Sequence, residues 1–256
     1  MKVANRTFIV TGGASGLGKA TAANLASHGA NVAVFDRDIP APSSSSKSIK
    51  YIKVDVTLEQ NVKEALEQTL SWIQDSGKTL GGVVNCSGVS TASKTVNQDG
   101  SVLDLDVFEY VVKVNLIGTF NVSRLVASRL TLNKPDKEGE RGVIIMVASV
   151  AAFEGQTGQV PYSASKGGVV GMTLPMARDL ARYGIRVVSI APGLFETGMS
   201  ASLPEKTRKK IDGMLEFPNR LGKPEEFGKL VEEIITNPMI NGNTIRIDGA
   251  SRLGKL

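Results

Sequence analysis

Tyr162 and Lys166 stand four residues apart in the run Pro-Tyr-Ser-Ala-Ser-Lys, inside a stretch with helical spacing. One helical turn puts the phenol and the ammonium on the same face, which makes them a candidate proton-transfer pair working near neutral pH. A free tyrosine titrates at about 10, and bringing it down to about 7 takes about 4 kcal/mol of preferential phenolate stabilisation. The Lys166 ammonium supplies part of that, and a second positive charge on a bound group would supply more. Alone, the pair also fits a half-buried aromatic above a solvated lysine. Its meaning depends on what the rest of the chain brings to it.

Near the start, Thr-Gly-Gly-Ala-Ser-Gly-Leu-Gly separates a β-branched run from a helical one. Glycines at 12, 16 and 18 let the backbone turn sharply and approach a pyrophosphate, whose charge would meet the amides at the helix start. Ser15 and Leu17 belong to the same turn. The spacing is Gly-x-x-x-Gly-x-Gly rather than Gly-x-Gly-x-x-Gly, so its weight comes from its place between strand and helix. Asp36 lies 18 residues beyond Gly18 at the tip of the second strand, where a carboxylate can accept hydrogen bonds from both hydroxyls of an adenosine ribose. That carboxylate would repel a ribose 2′-phosphate, and Ser15 offers no cation to hold one. NAD is therefore expected over NADP. Arg37 is the cation that qualifies this: it fits a phosphate, the face of an adenine, or water.

These residues need elements to carry them. Strands are predicted at Arg6 to Val10, Asn31 to Phe35, Lys50 to Val54, Gly82 to Val84, Val143 to Val147, Arg186 to Ile190 and Thr244 to Ile247. Helices are predicted at Lys19 to His28, Leu58 to Gln74, Val107 to Leu130 and Tyr162 to Arg182. Apolar strands alternating with helices mean a parallel sheet covered on both faces, an α/β doubly wound fold of Rossmann type. Ligands of such sheets sit off the carboxyl ends of the strands. Gly12 to Gly18, Asp36, Asp55 with Val56, Asn85 to Gly88 (with Cys86), Ser149, and Pro192 with Gly193 all follow strand ends. Residues 1–256 read as one domain, with Ile39 to Ser48 as a Ser- and Pro-rich loop.

The chain carries 30 basic and 25 acidic residues, a net charge of +5, but the charges are scattered and no arm or motif supports nucleic-acid binding. The densest basic run, Lys206 to Lys210, fits a solvated helix face. Cys86 is the only cysteine, which excludes an internal disulfide and suits a reducing intracellular compartment. His28, the only histidine, reads as a helix-end residue, so histidine triads and most zinc sites are excluded. No apolar run is long enough to span a bilayer, and the first strand starts too close to Met1 for a cleavable presequence. The Gly-Lys-Leu end is a relaxed peroxisomal address, and a cytoplasmic setting stays open.

In order and over essentially its whole length, the chain resembles the short-chain dehydrogenase/reductase family. The glycine turn, Asn115 in Val-Asn-Leu, Ser149, Tyr162 with Lys166, and Pro192 with Gly193 carry the likeness. Ser-Val-Ala-Ala-Phe-Glu-Gly-Gln, Leu116 to Leu125, Ala191 to Phe195 and Ser202 to Lys206 bring it closer to the branch acting on 3-hydroxyacyl-CoA thioesters and hydroxysteroids. The resemblance implies that Tyr162 exchanges the substrate hydroxyl proton while hydride passes to or from a nicotinamide. It further implies that Lys166 lowers the tyrosine pKa and holds the nicotinamide ribose, that Ser149 holds the substrate oxygen, and that Asn115 supports a water chain. A homotetramer and a mitochondrial matrix location come from the same likeness.

Two positions depart from the family pattern. Asn-Cys-Ser-Gly replaces the common Asn-Asn-Ala-Gly after strand four, and Pro175 falls inside the helix after Lys166, where it is expected to bend it. Residues 194–219 are expected to form a lid, with Phe195 against the cofactor and Met199, Leu203, Met214, Leu215 and Phe217 offering an apolar pocket. Lys206 to Lys210 and the loop Ser90 to Ser101 could meet the phosphates of a small-molecule acyl-CoA thioester. A hydroxysteroid or other secondary alcohol is the alternative substrate, and an NAD-binding structural subunit is the alternative of a different class.

Overall fold

The computed structural model describes residues 1–40, 47–201, 215–252 and 254. Seven strands form one sheet in the order β3-β2-β1-β4-β5-β6-β7, and every adjacent pair runs parallel. They are β1 Arg6–Thr11, β2 Asn31–Asp36, β3 Ile49–Lys53, β4 Thr79–Asn85, β5 Gly142–Val147, β6 Ile185–Pro192 and β7 Thr244–Ile247. From β1 the chain winds outward through β2 and β3, returns to β4 on the other side of β1, and continues to β7. The reversal between β1 and β4 opens the crevice where such sheets bind ligands.

Successive side chains of a strand point to opposite faces, and the core divides accordingly. Ile9, Ile144 and Met146 pack with helices α2 (Glu59–Ser76), α4 (Thr119–Leu130) and α5 (Val160–Ala181). Phe8, Val10, Val143 and Ile145 pack on the other face with α1 (Gly16–Ser27) and a last helix, α6 (Pro224–Thr236). Both β5 and β6 are buried along their full length, the mark of a sheet covered on both sides.

Three elements differ from the sequence expectation. β4 begins at Thr79 rather than Gly82. Gly81 and Gly82 weaken the strand pattern, but a side chain at Gly82, whose φ is +147°, would stand 1.9 Å from the Val143 carbonyl oxygen. Close approach of β5 demands glycine there. Helix α6 was not foreseen: its Phe227, Val231, Ile234 and Ile235 form a buried stripe against α1 and the sheet. The long helix after β4 comes in three parts, α3 (Leu105–Val112), a π-helical turn Lys113–Gly118, and α4. Helix α5 continues through Pro175 to Ala181.

Candidate active site

At the end of β1 the chain turns through Gly12, with φ at +63°, and α1 begins at Gly16. A side chain at Gly12 would lie 2.9 Å from the Ser87 backbone, and one at Gly18 would lie 2.3 Å from the Gly12 carbonyl oxygen. Backbone presses on backbone, so only glycine closes this turn. Ser15, the N-cap of α1, makes no side-chain cap bond. The first amides of the helix are thus without a capping acceptor, as an anion-binding turn requires.

Asp36 is tied into the same turn. Its Oδ2 accepts from the Ala14 amide at 3.0 Å and its Oδ1 from the Asp38 amide at 3.1 Å. A carboxylate has about four acceptor positions, so two bonds fix its orientation and leave capacity for a pair of ribose hydroxyls. Asp55 caps its own turn through Thr57, and Val56 is buried and accepts at its carbonyl from Asn121.

Some distance along the same cleft lie the groups that can move a proton. Ser149 ends β5 and caps a short 3-10 turn, its Oγ accepting from the Ala151 amide at 3.1 Å. That bond occupies an acceptor site and leaves the hydroxyl to donate, here toward the Tyr162 phenol. Tyr162 is the third residue of α5, close to the positive end of the helix, which favours a phenolate by about 0.3–1 kcal/mol. Burial pushes the Tyr162 phenol up, and its hydrogen bond with Ser149 pulls it down. Lys166 sits one turn later, with Nζ 5.7 Å from the centre of the Tyr162 ring. Its ammonium is buried and donates to the Val147 carbonyl at 2.7 Å. Desolvation therefore lowers Lys166 to about 8. Burial is the largest influence on the Tyr162 phenol, and the lysine is itself strongly perturbed by the same burial.

Asn115 works from behind. The π-helical turn carries its side chain to Val89, whose amide donates to Oδ1 at 2.8 Å and whose carbonyl accepts from Nδ2 at 2.9 Å. The second Nδ2 hydrogen goes to Ser165 Oγ at 3.0 Å, and Ser165 donates on to the Tyr162 carbonyl. One amide thus links the strand-four exit, the π-helical turn and the turn of α5 bearing the tyrosine.

All of the sequence-predicted residues except Asn85 and Asn115 line one cleft of about 1080 Å³. The Asn85 side chain is buried at the end of β4 and donates to Ser123 and the Ile145 carbonyl, a strut between strands. Phe195 borders the cleft, but its buried ring packs edge-on against Phe227, 6.3 Å between centres. Cys86 lines the wall with its thiol pushed up to about 12, chiefly by desolvation. Leu203, Met214 and Lys206 to Lys210 of the expected lid lie outside the described residues, as do residues 41–46 of the Ser-rich loop. Phe217 is 84% exposed, so it adds nothing to an apolar pocket in this structure.

Residues 6–208 match the family described as short chain dehydrogenase. The chain belongs to this family. It is 50% identical over 252 residues to human 3-hydroxyacyl-CoA dehydrogenase type-2, covering 96% of this chain and 94% of the relative. The Drosophila melanogaster protein of the same name is 48% identical over 260 residues, covering 98% and 99%. A crystal structure of 3-hydroxyacyl-CoA dehydrogenase type-2 from Mycobacterium avium superposes with a TM-score of 0.90 at 35% identity, covering 98% of each chain.

As a short-chain dehydrogenase the protein is an oxidoreductase, and its cleft is lined by polar side chains beyond those the sequence motifs indicated. Gln156 and Gln159 line it, with Gln159 Oε1 accepting from the Gln156 amide. Their place just ahead of Tyr162 was the available signal. Tyr110 and Thr197 also line it, and no local pattern marks either. Among the described residues, no helix is long and apolar enough to cross a membrane.

The buried ammonium makes a pH prediction. Between about 8 and the ordinary lysine value of 10.5, the unfolded chain binds the Lys166 proton and the folded protein releases it. Stability therefore gains from this group as pH rises through that window. Lys166→Met removes the gain, so the stability of the variant relative to wild type should fall by about 2–3 kcal/mol between pH 7 and pH 10. Urea unfolding at both pH values measures it. Parallel responses of the two proteins would mean the ammonium is not desolvated.

Proposed function

We propose that the protein is an NAD-dependent dehydrogenase that oxidises short-chain 3-hydroxyacyl-CoA thioesters to 3-oxoacyl-CoA. The observation that carries this is the opening of Ser149, Tyr162 and Lys166 onto the same cleft as Asp36 and the glycine turn. The glycine contacts that exclude any side chain, and the spare acceptor positions of Asp36, fit a dinucleotide with free ribose hydroxyls. The named relatives at 48% and 50% identity support the thioester substrate.

Bound NAD would supply the hydride acceptor. Glycines 12, 16 and 18 would hold its pyrophosphate, Asp36 its adenosine ribose, and Lys166 the ribose at the reacting end. Ser149 would turn its hydroxyl hydrogen from Tyr162 to the substrate oxygen and so stabilise charge developing there. Tyr162 takes the alcohol proton at its phenol oxygen, aided by the α5 terminus and by a cation arriving beside it. Asn115 has both amide hydrogens committed to protein, so its link to a proton-conducting water runs through an acceptor oxygen.

The loop after β4 supports a place for the rest of the thioester. It borders a second, open hollow of about 760 Å³, lined by Lys94 and Asn97 among others, which adjoins the cleft at Ala92. A homotetramer and a mitochondrial or peroxisomal setting belong to the same proposal, and the exposed Phe120 of α4 and Leu174 of α5 suit coverage by a second copy.

Purified protein mixed with NAD and a short 3-hydroxyacyl-CoA should generate NADH absorbance. Absence of turnover with the thioester, alongside turnover of a hydroxysteroid, would overturn the substrate assignment.

A further inference from the structure

Arg37 follows the ribose-reading carboxylate directly in the chain and is exposed at the cleft. Its guanidinium nonetheless has a partner. Nη1 donates to the Tyr110 hydroxyl, 3.5 Å away on α3. The pair joins the tip of β2 to a helix 73 positions further along the chain, across the part of the cleft where Asp36, Asp38 and Asp55 gather. Asp55 and Asp38 add to the field that keeps the guanidinium charged, after the larger influence of Tyr110.

Three cations line the cleft among the described residues: Arg37, Lys113 and Lys166. Lys166 is committed to the Val147 carbonyl. Arg37 is the one that adjoins Asp36, and a guanidinium in that place matches a phosphate through two parallel N–H bonds. Left to itself, it would offset the repulsion that Asp36 exerts on a 2′-phosphate. Its bond to Tyr110 draws it toward α3 instead.

We propose that Tyr110 is a positioning residue for cofactor choice: by holding Arg37 against α3 it withholds the guanidinium from a 2′-phosphate and leaves the selection to Asp36. The inference rests on the reading that the cleft takes a nicotinamide dinucleotide. Its chemistry is separate from the proton transfer, because neither Arg37 nor Tyr110 touches Ser149, Tyr162 or Lys166 in any hydrogen bond of the described residues.

Calorimetric titration of NAD and of NADP tests it on wild type, Tyr110→Phe, and Tyr110→Phe combined with Arg37→Leu. Tyr110 is 43% exposed, so loss of its hydroxyl leaves the fold in place. Wild type should bind NAD more tightly than NADP. Tyr110→Phe should tighten NADP about fivefold with NAD changed less than twofold, the size expected of one exposed charge-assisted contact. Adding Arg37→Leu should abolish that gain. An unchanged NADP-to-NAD ratio in Tyr110→Phe, with NAD still bound, would overturn the inference alone. So would a gain that survives Arg37→Leu, since Lys113 or another cation would then carry it. Failure of wild type to bind NAD at all would overturn the cofactor reading itself.

Discussion

Tyr162→Phe should lower turnover at least ~100-fold while leaving NAD affinity within about twofold of wild type. The substitution removes one oxygen and keeps the ring, so the packing at the start of α5 survives. Lys166 remains tied to the Val147 carbonyl and Ser149 to the Ala151 amide, so the cofactor and substrate contacts proposed for them stay in place. What disappears is the proton acceptor. Neither neighbour substitutes for it: the Ser149 hydroxyl is far too weak an acid-base group near pH 7, and the Lys166 ammonium carries its proton there, with a pKa of about 8. Steady-state kcat together with a direct NAD binding measurement separates the two effects. A variant keeping more than about a tenth of the wild-type rate would remove Tyr162 from the proton transfer.

Gly18→Ala should abolish tight cofactor binding, weakening it by ~100-fold or more, and should destabilise the fold by about 2–4 kcal/mol. The added methyl would meet the Gly12 oxygen at 2.3 Å, the Gly12 carbonyl carbon at 2.8 Å and Gly13 Cα at 3.0 Å. None of these atoms belongs to a side chain that could swing away. Gly12 cannot retreat easily either, because its amide is bonded to the Phe35 carbonyl at 2.8 Å and the Ser87 backbone stands where a side chain of Gly12 would be, 2.9 Å from its Cβ position. Opening the turn would also drag the Ala14 amide from Asp36, so one methyl disturbs both the pyrophosphate cradle and the ribose acceptor. Gly171→Ala provides the contrast: nothing stands within 4 Å of its added carbon in α5, and a helical alanine there should be neutral or stabilising by up to about 1 kcal/mol. Calorimetric NAD titration and urea unfolding of both variants measure the difference. Normal NAD binding by Gly18→Ala would show that the turn has another way to open.

Much of this was legible because the informative residues are local. Gly12 to Gly18 sit between a strand and a helix, Asp36 ends the next strand, and Tyr162 and Lys166 share one helical turn. Such spacings fix geometry within a few residues, before any long-range contact forms. The apolar strands were equally plain, since a sheet buried on both faces needs hydrophobic side chains at every position. Asn85 shows where proximity in sequence misleads. It follows the same strand pattern as its neighbours in the cleft, but strand alternation turns its side chain toward Ser123 and out of the cleft lining.

The sequence by itself determined the doubly wound sheet, the glycine turn, the carboxylate at the end of β2 and the sharing of one helical turn by Tyr162 and Lys166, because each depends on short-range periodicity and steric demand. Only the tertiary structure decided which charges are desolvated, what Asn115 holds, and that Arg37 reaches Tyr110 rather than open solvent. Those outcomes follow from burial and from contacts between distant segments. The Lys166 ammonium is perturbed by the walls that close around it, and no reading of its neighbours in the chain contains those walls.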